Sequence, residues 1–571
     1  MELVARRIEG LFKKAVQKTE SGFNEWDKLV IQPASSEEFG DYQTNFALTS
    51  ARFFKKAPKV FAQELISSVP ENKVIEKLEV AGPGFINIFL KNEFVSGVVA
   101  GSVSEKWGFS HKNLSGVVVI DYSSPNIAKP MHVGHLRTTI IGDSIKRIMR
   151  YVGYEVIADN HLGDWGTQFG KLIVGYRMWL DKDSYEKDPV RELERIYIKF
   201  QEESEKDNVL EELARGELKK VQSGDEENLK LWKEFVTVSV AGIKKIYSRM
   251  DVDFDTWYGE SFYHSLMPEV VEELLKKEIV KEDEGALVAY FDEEENLHPC
   301  IIRKKDGAYL YATSDLATVK FKNDTYKMNK AVYVTDDRQQ AHFRQVFSIA
   351  KKAGWDMEFA HVVFGIMSFK GVTISTRGGN TIHLSNLLDE AEKRAYDVVN
   401  EKNPELPEDE KRNIAKVVGI GAVKYADLSQ NRTSNIEFSW EKALNFDGNT
   451  APYLQYSYAR VQSVLRRAKE AGFLPDITKE ITFETGIEKQ IAVAIVRFPE
   501  VVEKAADYYK PNLIAEHLFD LAQKFSTFYN SCPILKCEED MVISRMNLAY
   551  ITAETIKLGL SLLGIGTVER M

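Results

Sequence analysis

The sequence predicts an α/β protein: a doubly wound parallel sheet, preceded by a small α/β domain and followed by an all-α helical bundle. Three observations carry this. Val117-Val118-Val119-Ile120 is a short β-branched run, the pattern of a strand covered on both faces. From Gly134 to Val152, Leu136, Ile140, Ile141, Ile145, Ile148, Met149 and Val152 recur at helical spacing, and Gly153 closes the helix. Glu155-Val156-Ile157-Ala158 then reads as a second strand. Strand, helix and strand make a βαβ unit, which puts the intervening turn at the carboxyl edge of a parallel sheet, where such sheets bind ligands.

Composition bounds the rest. A chain of 571 residues holds several domains, since one core rarely grows past about 250–300 residues. Apolar residues at 44% and charged residues at 28% mark a globular chain. No apolar run approaches the ~18 residues of a membrane span, and the N-terminus continues as an amphipathic helix, not a secretory signal. Cys300, Cys532 and Cys537 make no paired framework and no set with structural-zinc spacing, so a cytoplasmic protein with no zinc and no metal site of its own is expected. The net charge of −11 excludes general nucleic-acid affinity but leaves room for a local basic face.

Taken in order, Leu3, Ile8, Leu11, Phe12, Ala15 and Val16 form one helical stripe, and Phe85–Leu90 after Gly82-Pro83-Gly84 reads as a strand. Between them, Glu38–Asn45 is either a loop with RNA contacts or a cap for a helix over 45–55. After the first βαβ unit comes the glycine-punctuated loop Asn160-His161-Leu162-Gly163-Asp164-Trp165-Gly166. Gly166–Lys171 evokes a phosphate loop, but the spacing is wrong and no hydroxyl residue follows the lysine. Residues 178–240 are charge-dense and helical, an insertion over the sheet. Tyr311 and Asp315 stand one helical turn apart, Ala331–Val334 is another buried strand, and a helix begins after it and runs to Lys352. Asp315 can receive a cation, a guanidinium best, or cap its own helix. Strand His361–Phe364 leads to Ser375-Thr376-Arg377-Gly378-Gly379-Asn380, a phosphate-covering loop or a plain hairpin turn.

From about Asp389 the chain turns helical. The helix opening at Ala451 carries Tyr453, Tyr456, Tyr458 and Arg460, and residues 451–475 hold four cations against one acid. Tyrosines beside arginines suit unstacked RNA bases, though helical tyrosines also build cores. Further helices are expected over 512–530 and 547–563. The predicted domains are 1–108; 109–388 with a helical insertion at about 175–258; and 389–571 with its core at 450–571.

The turn after the first strand holds Lys129-Pro130-Met131-His132-Val133-Gly134-His135. Two imidazoles three residues apart on the first helical turn point the same way, beside free amides and the positive end of the helix dipole. Gly134 lets a planar base or a phosphate approach.

Together these motifs resemble the class I aminoacyl-tRNA synthetases, with a Rossmann-like catalytic domain, and most closely the arginyl-tRNA synthetase family. Ser123–Pro130, His132-x-Gly-His135 and Asn160–Gly166 look like its nucleotide-site signature. Tyr311-Ala312-Thr313-x-Asp315 and Asp337-Arg338-Gln339 look like its arginine pocket. Asn449–Arg460 and the terminal Val568-Glu569-Arg570-Met571 resemble its anticodon-binding helical domain. One departure stands out. Class I enzymes usually carry a Lys-Met-Ser-Lys loop, whose second lysine neutralises the leaving pyrophosphate, whereas Ser375-Thr376-Arg377-Gly378 has no lysine at that place. Arginyl enzymes commonly lack it, with a lysine upstream of the first histidine thought to compensate, and Lys129 occupies that place.

The resemblance implies ATP-dependent attachment of L-arginine to its tRNA through an arginyl-adenylate. It assigns Lys129, His132, His135 and Arg377 to catalysis, and Gly134, His132, His135, Ser375, Thr376 and Arg377 to ATP, which carries Mg2+. Ser124 and Asn126 would hold the α-amino end of arginine, and Glu260, Tyr311, Asp315 and Gln339 its guanidinium. Tyr42, Asn45, Tyr453, Tyr456, Tyr458, Arg460 and Met571 would contact the tRNA at its D-loop region and anticodon, with the acceptor end at the catalytic site. A monomer is expected. A small-molecule nucleotidylyltransferase would not need the helical tail. A cysteinyl enzyme would need cysteines that are missing, and a silent tRNA-binding relative would not need both histidines, Lys129 and Asp315.

Overall fold

The structure is a computed structural model and describes residues 2–19, 22–109, 116–369 and 382–571. The chain divides into two compact units, one of residues 1–112, 446–561 and 567–571, the other of 113–445 with 562–566.

The second unit is built on the predicted βαβ element. Strand β1 (Val117–Asp121) leads through the turn to helix α1 (Leu136–Val152) and parallel strand β2 (Glu155–Asp159), with Val117 opposite Glu155 and Asp121 opposite Asp159. Gly153 ends α1 in the left-handed region at φ 107°, its amide and that of Tyr154 closing on the carbonyls of Arg150 and Met149. A five-residue helix α2 (Glu260–His264) and the longer α3 (Tyr311–Tyr326) precede strand β3 (Lys330–Asp336). Helix α4 (Gln340–Lys352) returns the chain to β4 (Glu358–Phe364). The sheet order is β4-β3-β1-β2, all parallel. From β1 the chain crosses to β2 on one side and reaches β3 on the other, so the loops after β1 and β3 diverge. Their divergence leaves a crevice at the carboxyl edge, the binding position of open α/β sheets.

Sequence periodicity makes α1 amphipathic, yet it is buried nearly all round, Arg137, Thr138, Thr139, Asp143, Ser144 and Lys146 included. Elements far along the chain cover its polar face. Helix α5 (Glu408–Leu428) supplies Asp427, whose two oxygens receive Arg137 Nε at 2.8 Å and Nη2 at 3.0 Å. The same guanidinium donates to the carbonyls of Arg432 and Ser434. Ser144 Oγ donates to Leu562 O at 2.9 Å, and Lys424 Nζ to Gly564 O at 2.7 Å.

The expected insertion is helical, from Lys182 to Arg249. The phosphate-loop look-alike is packing instead: a Cβ on Gly170 would stand 2.0 Å from Ala214 O, and Lys171 pairs with Glu211 at 2.7 Å. The sequence reading missed an antiparallel sheet of 280–283, 286–289 and 300–303. It also missed two short parallel strands, β5 (Met367–Phe369) and β6 (Ile436–Phe438). Residues 384–445 belong to this unit.

In the first unit an antiparallel sheet of order 32–33, 42–44, 85–90, 75–81 packs with helices over 4–19, 46–54, 58–68 and 92–102. The C-terminal helices are α6 (Ala451–Glu470), α7 (Gly486–Asp507), α8 (Asn512–Ser531) and α9 (Glu539–Leu562). The expected 1–108 domain and these helices form one unit, joined through Glu500, whose Oε1 accepts from the Ala5 amide at 2.8 Å and from Tyr42 OH at 3.0 Å.

The Arg137–Asp427 pair has side chains only 2% and 1% exposed. Asp427→Ala, which strands the guanidinium, is expected to cost about 3–5 kcal/mol. The double change Arg137→Met with Asp427→Leu should recover much of it. Urea unfolding of the three chains checks this: a double variant no more stable than the single would mean that the buried charge is not the cause.

Candidate active site

The crevice begins where β1 ends. Ser123 and Ser124 both take left-handed backbone conformations, at φ 71° and 46°, uncommon for residues with a Cβ. Hydrogen bonds hold them there. Thr138 Oγ1 accepts from the Ser123 amide at 3.0 Å and donates to Val334 O at 2.6 Å, tying β1, α1 and β3 at one point. Asn160 Oδ1 accepts from the Ser124 amide at 3.2 Å, and Ser124 Oγ donates to Asp121 Oδ1 at 3.0 Å. Asn126, exposed, lies across Gly163, where a Cβ would stand 2.1 Å from its Oδ1. The glycine is needed there.

Both histidines stand at the start of α1, their ring centroids 4.0 Å apart. His132 Nδ1 accepts from the Gly134 amide and His135 Nδ1 from the His132 amide, each at 3.1 Å. An accepting Nδ1 leaves the proton on Nε2, so both rings offer an Nε2–H. Burial lowers both pKa values, that of His135 to about 3; Lys129 and His383 act in the same direction on His132, and the neighbouring imidazole on His135. The expected histidine pair therefore forms a neutral donor set rather than a cationic one. Gly134 is exposed, and Lys129, also exposed, has its ammonium 4.4 Å from the ring centre of Tyr197 in the insertion.

Across the crevice, acids gather. Asp164 Oδ1 and Oδ2 accept from Ser261 N at 2.8 Å and Ser261 Oγ at 2.6 Å, fixing the start of α2 and its first residue, Glu260. A Cβ on Gly259 would stand 2.2 Å from Asp164 Cγ, so only glycine fits. Burial, then the charges of Asp164 and Asp315, raise Glu260 to about 7. Asp315 Oδ2 lies 2.5 Å from His342 Nε2. Tyr311 and Gln339, expected in the same pocket, are exposed, Tyr311 at 77%; one is the first residue of α3 and the other the last of the 3₁₀ turn 337–339. Ser375, Thr376 and Arg377 lie outside the described residues.

On α6, Tyr453, Tyr456 and Arg460 share one half-buried face. The Arg460 guanidinium stacks over Tyr456 at 4.8 Å and Tyr529 at 5.0 Å. Tyr458 faces the core, and Tyr42 is fully buried under Glu500, so neither presents a ring to an RNA. Both are core residues in this fold: a tyrosine's place in the sequence does not say which way its ring points. Asn45 is half-exposed and makes no side-chain cap; Thr44 Oγ1 accepts from the Phe46 amide instead. Met571 ends the chain half-exposed.

A parallel sheet with His-x-Gly-His at the helix start beneath its switch point defines a class I synthetase catalytic domain. Residues 103–440 match the family described as tRNA synthetases class I (R), catalytic domain. Residues 6–90 match the arginyl tRNA synthetase N terminal domain and 454–571 the DALR anticodon binding domain. The arginine--tRNA ligase of Fusobacterium nucleatum is 54% identical over 571 residues, covering 100% of both chains. That of Chromobacterium violaceum is 42% identical, covering 95% of this chain and 96% of its own. The arginyl-tRNA synthetase structures from Plasmodium falciparum and Thermus thermophilus superpose with a TM-score of 0.85 each, at 26% and 25% identity, covering both chains fully. The chain belongs to the arginyl-tRNA synthetase family.

The folded Glu260 prefers its proton, so stability is lost as pH rises from about 4.5 to 7. A bound cation reverses the preference and expels the proton. Calorimetry should therefore find that arginine affinity rises by up to about tenfold per pH unit toward pH 7 and levels off above it. Glu260→Gln should remove that slope and raise the melting temperature at pH 8. A slope unchanged in Glu260→Gln would assign the linkage elsewhere.

Proposed function

We propose that this chain attaches L-arginine to its tRNA in two steps, with the crevice divided into a phosphate half and a guanidinium half. In the first step the arginine carboxylate attacks the α-phosphate of ATP, forming arginyl-adenylate and releasing pyrophosphate. In the second, a hydroxyl of the tRNA's terminal ribose attacks the arginyl carbonyl and AMP leaves. The substrate carboxylate is itself the nucleophile, so the protein supplies position and charge stabilisation.

One observation carries the arginine assignment: a buried Glu260 shares the crevice with Asp164 and Asp315, and burial first, then those two charges, raise it to about 7. Such a cluster is completed by a cation. In this reading Asp315 and Glu260 receive the guanidinium, and Ser124 and Asn126 the α-amino end. Tyr311 and Gln339 join only by turning inward from their exposed positions. His132 and His135 donate through Nε2–H to the phosphates, Lys129 supplies the positive charge, Gly134 admits the adenosine, and Ser375, Thr376 and Arg377 meet the pyrophosphate.

ATP brings Mg2+ on its phosphates. Among the described residues the grouping of metal-ligand type is Asp121, Asp159 and His161. Lys322 Nζ lies 2.8 and 2.6 Å from the two carboxylates, so a cation already stands between them and the cluster does not suit a resident ion. The tRNA is read as lying along the Tyr453–Tyr456–Arg460 face, with Met571 and Asn45 as further contacts. The enzyme is read as a monomer in the cytoplasm, consistent with three free cysteines and with no helix among the described residues long and apolar enough to cross a membrane.

Charging of total tRNA with each of the twenty amino acids tests the reading: arginine alone should be attached, and attachment of any other would discard the pocket. Asp315→Ala should raise the arginine KM by about 10²-fold or more, since it strips a carboxylate from a guanidinium. His135→Ala should lower kcat by about 10²–10³ with arginine KM within about threefold. Unchanged turnover would remove that ring from the site.

A further inference from the structure

We propose that Lys322 is a positioning residue for arginine recognition, joining the helix that carries Asp315 to the turn that carries Ser124. The inference rests on the arginine pocket proposed above.

Asp315 and Lys322 lie seven residues apart on α3, two turns along one face of the helix. Asp315 stands at the crevice, and Lys322 reaches beneath the sheet edge, where its side chain is 2% exposed. Its ammonium lies 2.8 Å from Asp121 Oδ2 at the end of β1 and 2.6 Å from Asp159 Oδ2 at the end of β2. Both acids are spent on the loops that leave those strands. Asp121 uses its other oxygen to accept from Ser124 Oγ at 3.0 Å, and Asp159 Oδ1 accepts from Thr256 Oγ1. The Ser124 that Asp121 holds is the one in the left-handed conformation at φ 46°.

Charge balance makes the link obligatory. Burial alone would neutralise Asp121, but Lys322 holds its carboxyl below the usual range. Burial likewise opposes the lysine's charge, and the two aspartates more than offset it. Without the ammonium, two carboxylates would face each other in a closed space. One would take up a proton or turn away, and the acceptor that orients Ser124 would move with it. The ATP side of the crevice is held by the amides at the start of α1, which the Lys322 ion pairs do not touch. Losing Lys322 should therefore reach arginine and spare ATP.

The test is steady-state aminoacylation by the full chain with arginine and ATP varied in turn. Lys322→Met keeps length and removes charge. It should raise the arginine KM about tenfold or more while the ATP KM stays within about twofold. Lys322→Arg should restore most of the loss. Ser124→Ala in the Lys322→Met background should add little, since both act on the same contact. An arginine KM unchanged in Lys322→Met, a parallel rise of both KM values, or additive effects with Ser124→Ala would overturn the inference. If Lys322→Met does not fold, Asp121→Asn is the variant to measure, and an unchanged arginine KM there overturns it equally. Asp315→Ala, run alongside, separates the two levels. A raised arginine KM in Asp315→Ala with none in Lys322→Met refutes the positioning role alone. No rise in Asp315→Ala refutes the pocket, and this inference falls with it.

Discussion

Two backbone hydrogen bonds set the chemistry available in the crevice: the Gly134 amide to His132 Nδ1, and the His132 amide to His135 Nδ1. Each takes a lone pair that a proton would otherwise claim, so the rings stay neutral and turn Nε2–H outward. That choice matters because the substrate is itself a cation. On the proposed assignment of Glu260 and Asp315 to the guanidinium, two imidazolium ions nearby would oppose that charge. Neutral donors still follow the charge that builds on phosphate oxygens, in company with helix-start amides and Lys129. The site separates its charges by giving one half hydrogen bonds and the other half carboxylates.

Such fine placement needs a rigid floor, and α1 supplies it by being buried on its polar side as well as its apolar side. A helix covered all round must pair every polar group it carries. Arg137 does so through Asp427 and two carbonyls, and Thr138 through β3. The strained turn at Ser123 and Ser124 is the counterpart. Non-glycine residues stay left-handed only where the surroundings dictate it, and here Thr138, Thr139, Tyr247, Asn160 and Asp121 do so together.

The parallel sheet was legible because buried strands announce themselves as β-branched runs: 117–120, 155–158, 331–334 and 361–364 all fall inside observed strands. The sheet at 280–303 was not, since Val280–Asp283 exposes three of its four residues and its lysine and acids read as a charged loop. Helix α7 carries Pro499 in its interior, a residue that argues against a helix when only sequence is in hand. Among the candidate site residues, His132 and His135 stand out in the sequence as one local motif and Asp315 as one helical turn from Tyr311, while Glu260 comes only with the family resemblance. Their partners do not stand out. Lys322 meets Asp121 across 201 positions and His342 meets Asp315 across 27, and no spacing rule reaches so far. That Tyr42 and Tyr458 turn inward was hidden for the same reason, because the face a ring takes is decided by what packs on it.

The carboxylate cluster also explains why a guanidinium, rather than any cation, suits the proposed pocket. Glu260 sits near half-ionisation at neutral pH, so the ligand must spend interaction energy to expel its proton. A guanidinium keeps its charge at any accessible pH and is weakly hydrated, so little is lost on entering a partly buried space. Its planar fork offers two edges of donors, enough to meet Glu260 and Asp315 from one rigid plane. An ammonium is a compact and strongly hydrated point; placed against one carboxylate, it would leave the other uncompensated and Glu260 protonated. Selectivity then follows from meeting both carboxylates at once, which the two donor edges of a guanidinium can do and the single point of an ammonium does poorly.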